Sequence, residues 1–177
     1  MRTLLTLAVV ALVATACSKP NPEAEAALAE KAAHAARHAQ VDSVAKAWLA
    51  AVTPEAAKSL YAEGAMLYNP DAPQGEKASE ALAQMAEMMK SFADMKMEAN
   101  VTRVGDDFFA IAGTMSAKYS GPANPMDPKS KVVKDAQIGG PYVTLVIVNE
   151  AGKVTEERSM WDNASMGAQL EAAAKKK

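Results

Sequence analysis

The sequence predicts one α+β domain, and three observations carry that reading. Apolar residues recur at helical spacing through the stretch from Val41 to Phe92. From Met95 to Asp162 they alternate with polar residues, or run unbroken, in strand-length segments. Turn formers punctuate the chain at Pro70 to Gly75, at Gly105-Asp106-Asp107 and at Glu150 to Lys153.

Residues 1–16 read as a secretory signal: a basic Arg2, an apolar run from Leu4 to Val13, then small residues before Cys17. The run is too short for a membrane-spanning helix, which takes roughly 20 residues. Ala14-Thr15-Ala16-Cys17 is similar to a bacterial lipobox, with Ala14 where Leu is most usual. In such a signal the cysteine is lipidated and becomes the new N-terminus. Cys17 is the chain's single cysteine, so no internal disulfide competes for it. Acylation would bind it to membrane lipid, each buried methylene contributing about 0.8 kcal/mol. The expected location is exported and lipid-anchored in the cell envelope. Without Asp beside Cys17, the periplasmic face of the outer membrane is expected over the inner membrane, where the host has both.

Residues 17–40 read as the lipidated cysteine and an Ala-rich, helical or half-helical tether. Pro20 and Pro22 stop structure from starting at the anchor, and the Ala/Glu/Lys/Arg stretch after them favours helix without a large apolar stripe. His34 and His38 lie one turn apart, but a metal site needs further ligands and none is specified nearby. They read as solvated, and no metal or cofactor is expected.

From residue 41 the domain begins. Val41, Val44, Trp48 and Val52, with Ala45 and Leu49, make one apolar helical face. Thr53-Pro54-Glu55 restarts a helix by capping, by proline in the first turn and by dipole complementarity. Leu60 and Tyr61 are its buried candidates and Gly64 its end. Ala65 to Asn69 is a short strand stopped by the turn formers from Pro70 to Gly75. Glu76 to Phe92 is the next helix, with Leu82, Met85, Met89 and Phe92 as a stripe that reads as core and also suits an apolar ligand.

Met95, Met97, Ala99 and Val101 alternate with polar residues as a half-buried strand. Phe108 to Tyr119 returns as a second strand. Tyr142 to Asn149 is a third, buried on both faces by its run Val143 to Val148, and Val154 to Asp162 is the last. The Pro/Gly/Lys-rich segment 120–141 reads as a long loop, uncommon unless it borders a site or is mobile.

Composition narrows the function. Lys and Arg number 19 against 21 Asp and Glu, a net charge of −2 that becomes −3 when Arg2 leaves with the signal. Nucleic-acid binding wants a strongly basic face, so no nucleic-acid partner is expected. Lys175-Lys176-Lys177 closes a short basic tail over residues 172–177. Nothing matches a glycine-rich phosphate loop or a Cys/His cluster. With aromatics at 5% and 11 methionines, the core must be built by Leu, Val, Ile and Met.

The element order is helix, helix, strand, helix, then four antiparallel strands. Its last part, Gly152 to Asp162, opens with Gly-Lys-hydrophobic-x-Glu-Glu and closes with Trp161 beside Asp162, followed by Met166 and Gln169-Leu170. With Tyr61-Ala62-Glu63-Gly64-Ala65 and the helix start at Gly75, residues 41–171 resemble the SnoaL-like branch of the nuclear-transport-factor-2-like superfamily. The resemblance implies a cone: a curved, mostly antiparallel sheet wrapped around about three helices and enclosing a pocket. Polyketide ester cyclases of that branch use an acidic residue at the end of the last strand, and the matching position is Asp162.

A carboxyl group facing an apolar pocket resists ionisation and suits acid/base work. Alternation puts Asp162 on the side of Met160 and Arg158, with Trp161 opposite; Arg158 would hold it ionised as an ion pair. Asp162 equally suits the N-cap of a following helix. Tyr68 and Asn69 lie on the strand that lines the mouth of such a cone, where Tyr68 either donates to a ligand carbonyl or packs with its hydroxyl in water. With Met85, Met89, Trp48, Met160 and Arg158 they form the expected ligand-binding set. Three functions fit: binding of a small apolar or carbonyl-containing molecule, an acid/base enzyme of cyclase or isomerase type using Asp162, and a homodimer or partner contact through the sheet face. The lipid anchor favours the first and third, because polyketide tailoring is typically cytoplasmic.

Overall fold

The computed structural model of the chain describes residues 21–124, 127 and 129–176. The expected signal segment, Cys17 with its lipidation, and Lys177 lie outside the described residues. The elements run α1 (Pro22–Ala50), α2 (Pro54–Lys58), β1 (Tyr61–Asn69), β2 (Ala72–Lys77), α3 (Ala78–Met89), β3 (Phe92–Val104), β4 (Phe108–Pro122), β5 (Val132–Val148), β6 (Val154–Trp161) and α4 (Asn163–Lys175). The strands form one six-stranded sheet in the order β2-β1-β6-β5-β4-β3. The pair β1 and β6 is parallel and every other neighbouring pair is antiparallel. This is the α+β cone expected from the sequence: a curved, open sheet holding its helices against one face.

Helix α1 is one unbroken helix of 29 residues, about 43 Å long at 1.5 Å per residue. Asn21 caps it by accepting from the Glu23 amide at 3.1 Å. The boundary expected at residue 40 falls inside this helix, so the Ala-rich segment continues directly into the apolar face of Val41, Val44 and Ala45. Side chains on that segment dock on the hairpin tips. Arg37 donates to the Val148 carbonyl at 2.6 Å, Gln40 donates to the Glu150 carbonyl at 3.2 Å, and His34 Nδ1 meets Asp106 Oδ2 at 2.6 Å. His34, read as solvated, therefore has a partner 72 residues away in the chain.

Thr53 caps α2 as expected, accepting from the Ala56 amide at 3.2 Å. Helix α2 is one turn only, and Tyr61 already belongs to β1. Gly64, expected as the helix end, sits inside β1 at φ +75°, where the register with β6 shifts between Tyr61 and Met66. The left-handed conformation that ends a helix also makes a bulge. The run from Pro70 to Gly75 turns only at Pro70 and Asp71; from Ala72 onward it is the edge strand β2. Such a chain suits an edge, where Pro73 needs no ladder partner.

The segment read as a long loop is mostly strand. Strand β5 starts at Val132 and pairs with β4 from Pro122↔Val132 to Phe108↔Ile147, leaving only 123–131 as connection. Val133, Ala136 and Ile138 face inward there and pack with Ala117, Tyr119 and Leu170. Helix α4 covers this end of the sheet. Gln169 clamps the backbone of Gly139, accepting from its amide at 2.9 Å and donating to its carbonyl at 2.8 Å.

All three long helices therefore meet the same concave face. Helix α1 covers Phe109, Ile111, Val146, Val148 and Val154, α3 covers Ala65 and Leu67, and α4 covers Ala117 to Ile138. Among the described residues, no helix is long and apolar enough to cross a membrane.

Candidate functional site

Two irregularities decide which side chains reach the concave face. In β3 the pairing shifts between Ala99 and Val101, so Met97 faces inward but Val101 faces out, and Thr102 and Val104 resume the inner set. In β6 the pairing shifts between Ile147 and Val148, so Thr155 is an extra residue after inward-facing Val154. From there Glu157, Ser159 and Trp161 face the helices, while Glu156, Arg158 and Met160 face out. The alternation expected for Arg158 and Met160, opposite Trp161, holds, but the side they share is the outer face and not the pocket: Met160 is 69% exposed there.

At the middle of the concave face lies a buried carboxylate. Glu157 is 7% exposed within an otherwise apolar wall, and an isolated charge there would be costly. Its oxygens are fully engaged instead. Oε2 receives the Tyr61 hydroxyl and, at 3.1 Å, the Trp48 indole N–H. That N–H also lies 3.3 Å from the Tyr61 oxygen. Oε1 receives the Ser159 hydroxyl at 2.7 Å. Because the Ser159 proton is committed to Glu157, Thr144 Oγ1, at 2.8 Å, must donate to Ser159. Burial above all, then the Glu157 charge and the hydrogen bond to it, push the Tyr61 phenol well above its ordinary range, so Tyr61 stays the donor. The network joins α1, β1, β5 and β6 through one carboxylate.

One rung along β5, Tyr142 also faces inward and is 5% exposed. Its ring lies over Gly113 of β4, where a Cβ would sit 2.9 Å from Tyr142 Cε1 and 2.0 Å from the Glu98 carbonyl oxygen. Among the described residues the Tyr142 hydroxyl is the buried side-chain polar atom without a hydrogen-bond partner. Leaving such a group unpaired costs about 1–3 kcal/mol. Burial raises its pKa, which keeps it a neutral donor.

The residues expected from the sequence are dispersed. Trp48 alone among them is in the Glu157 network. Tyr68 and Arg158 do meet, the guanidinium 4.2 Å from the ring centroid, but as cross-strand neighbours on the outer face, with Arg158 Nε 2.5 Å from Glu156 Oε1. Asn69 holds the β1–β2 turn by accepting from the amides of Asp71 and Ala72 at 2.9 and 2.8 Å. Met85 and Met89 are half-buried on α3. Asp162 leaves the strand to cap α4, accepting from the Ser165 amide at 2.9 Å. Its carboxylate serves that helix terminus instead of facing an apolar pocket. None of Glu157, Tyr61, Ser159, Thr144 and Tyr142 was expected as a site residue from the sequence, although Tyr61 was a buried candidate and Glu157 belongs to the Gly-Lys-hydrophobic-x-Glu-Glu motif. A polar residue on the side of Trp161 was the available signal, and it was passed over because the pocket was assigned to the side of Asp162, which leaves the strand to cap α4.

Two surface depressions flank this face without reaching Glu157: one of about 350 Å³ between α4 and the 123–131 connection, one of about 270 Å³ beside His34 and Asp106. Among the described residues, no group of three or more His, Cys, Asp or Glu side chains is placed to hold a metal ion.

The same architecture recurs in solved structures. AclR from Streptomyces galilaeus aligns over 76% of this chain and 98% of its own, with a TM-score of 0.64 at 14% identity. A protein of ketosteroid-isomerase-like fold from Catenulispora acidiphila, solved with trimethylamine, aligns over 75% and 95% (TM-score 0.56, 15% identity). An LEH-like epoxide hydrolase of M. tuberculosis aligns over 77% and 92% (TM-score 0.57, 11% identity). At these identities the likeness is one of fold. No curated protein matches the chain in sequence. The family model for SnoaL-like polyketide cyclases, however, matches residues 39–170, spanning every strand and reaching Leu170 of α4. On that match, the chain belongs to the SnoaL-like polyketide cyclase family.

Proposed function

We propose that this chain is a lipid-anchored envelope protein whose concave face binds a small, predominantly apolar molecule. The observation that carries the binding reading is the polar group set into an apolar concave wall, Glu157 with Trp48, Tyr61, Ser159 and Thr144. An apolar site with a few convergent polar groups is the usual construction of a small-molecule pocket. Met97 and Met115 pack against the same cluster, and their unbranched side chains can move aside for a ligand. Asp162 is committed to its helix cap, which leaves the acid/base alternative without a free carboxyl group at that position.

Native mass spectrometry of gently purified full-length protein tests the reading. A bound small molecule is expected, and it should be lost from Met115→Trp, which narrows the concave face. Protein that carries nothing in either form opposes it. The anchor has its own test: Cys17→Ser should release the protein from membranes, and unchanged membrane retention would overturn it.

The outer face supports a second reading, contact with another copy of the chain. Val101, Ala112, Val143 and Met160 lie side by side in register across β3, β4, β5 and β6. Val143 is 52% and Met160 69% exposed. The next row, Arg103, Ala110, Leu145 and Arg158, borders this strip with charge.

A further inference from the structure

Asn100 and Thr102 have no role in the readings above, although with Val101 between them they carry a chemistry of their own. Asn-x-Ser/Thr, with x other than proline, is the acceptor pattern for N-linked sugars on secreted chains. We propose that Asn100 is a glycan-acceptor site, modified by a saccharide carried on a polyisoprenyl pyrophosphate. The proposal rests on the export that the envelope reading above requires, which brings the chain to the compartment where such donors are used.

Three observations single out this asparagine. First, β3 is the last strand of the sheet, so it has a neighbour on one side only. Second, pairing with β4 runs Ala99↔Gly113 and then Val101↔Ala112, so Asn100 is the extra residue of a bulge, without a partner across the ladder. Glu98, Ala99, Asn100 and Val101 are all exposed there, and Thr102 is half-buried. A sugar attached at this point displaces no core side chain. Third, the chain contains a second tripeptide of the same pattern, Asn163-Ala164-Ser165, and the structure uses it otherwise. The Asn163 carboxamide accepts from the Trp161 indole at 2.6 Å and donates to Asp71 at 3.0 Å, while the Ser165 amide is held by the Asp162 cap. No side-chain hydrogen bond ties Asn100 to any described residue. Glu98, two residues before Asn100, also supplies the acidic residue that bacterial acceptor sites of this kind carry; the corresponding position before Asn163 is Trp161.

The step is a substitution at the anomeric carbon of the donor. The Asn100 amide nitrogen forms the new bond to that carbon, the bond from carbon to phosphate oxygen breaks, and the lipid pyrophosphate leaves with the electron pair. The amide nitrogen gives up one proton, and nothing is oxidised or reduced. An amide nitrogen is a weak nucleophile, so the transferase must grip its acceptor, and the Thr102 hydroxyl is the group it holds. The modification would also protect the fold. A long edge strand is a template for pairing with another chain. Strand β3 has 13 residues, and a hydrated glycan at its bulge would block that pairing.

For the test, the full-length protein is expressed in a Gram-negative cell that carries a lipid-pyrophosphate oligosaccharide of known mass and its periplasmic transferase, and is weighed intact by mass spectrometry. The wild type should gain the mass of one oligosaccharide, carried by the peptide that contains Asn100. Asn100→Gln and Thr102→Ala should lose it, Thr102→Ser should keep it, and Glu98→Gln should lower the modified fraction. Asn163→Gln should leave it unchanged. Folding is controlled by melting temperature: Asn100→Gln, at an exposed position, should melt with the unmodified wild type. Exported protein, recognised by removal of residues 1–16, that stays at its unmodified mass overturns the acceptor site and leaves the export reading intact. A glycan found on Asn163 in place of Asn100 overturns it as well. Protein that keeps residues 1–16 removes the export reading, and the proposal with it.

Discussion

The Tyr61 hydroxyl and the Trp48 indole N–H converge on one oxygen of Glu157, so a single carboxylate fastens helix α1 to strands β1 and β6. This arrangement makes Glu157 costly to remove. Glu157→Ala takes the carboxylate acceptor from three donors, leaving Trp48 only its longer contact to the Tyr61 oxygen, Ser159 only Thr144, and the Tyr61 hydroxyl without a partner for its proton. We expect a loss of about 3 kcal/mol in urea unfolding, and about 1–2 kcal/mol for Tyr61→Phe, which removes one donor to a charged acceptor.

Alkaline stability should report the same pair. The Tyr61 pKa is raised in the folded state above the ordinary 10.0 of a tyrosine, by burial first and then by Glu157. Its contribution is therefore fully present below pH 10 and is lost as pH rises from there toward the folded value, because the unfolded chain ionises first. Burial raises Tyr119 and Tyr142 in the same direction. Stability should fall with pH above 10, less steeply in Tyr61→Phe than in wild type; identical slopes in melting temperature against pH would oppose the assignment.

Asp162 behaves as a cap in this account. Asp162→Ala should cost about 1 kcal/mol, while Asp162→Asn and Asp162→Ser, which also cap, should restore most of it. Circular dichroism melts of the three variants make the comparison.

Gly113 admits no side chain. Gly113→Ala would place a Cβ 2.0 Å from the Glu98 carbonyl oxygen and 2.9 Å from the Tyr142 ring, and should destabilise by about 2–3 kcal/mol. Gly140, with nothing within 4 Å of its notional Cβ, is the control and should tolerate alanine.

On the outer face, Val143→Lys and Met160→Glu should leave the melting temperature near wild type, since both side chains are exposed. In light scattering across a concentration series, each should convert a dimer to a monomer. A wild type that stays monomeric at high concentration contradicts the second reading.

The fold was legible in the sequence because its periodicities are local. The apolar face of Val41, Val44 and Ala45, the Thr53 cap and the hairpin at Gly105 each depend on a few adjacent residues. Strand β5 was half hidden, because Gly139, Gly140 and Pro141 imitate a loop until their pairing with β4 is known. The site was less legible for a sharper reason. Side-chain direction in a strand is a count by twos, and one bulge inverts everything after it. The count back from Asp162 sorted the two sides of β6 correctly but gave the pocket to the side of Arg158 and Met160; counted forward from inward-facing Val154, the extra Thr155 inverts the sides and turns Glu157 and Ser159 inward. The shift after Ala99 did the same to Val101. No pattern within these strands marks either bulge, since both arise from pairing with a distant strand. Tyr68 and Arg158, each expected in the ligand-binding set, meet one another on the outer face, a contact that depends on the pairing of β1 with β6.

The most direct measurement uses the methionines themselves. With methyl-labelled methionine, a titration with α-tetralone can be followed at once on the concave face, at Met97 and Met115, and on the surface, at Met88 and Met160. The account predicts saturable shifts of the Met97 and Met115 methyls while Met88 and Met160 stay unmoved. Shifts confined to Met160, or no saturable shift at any of the four, would contradict it.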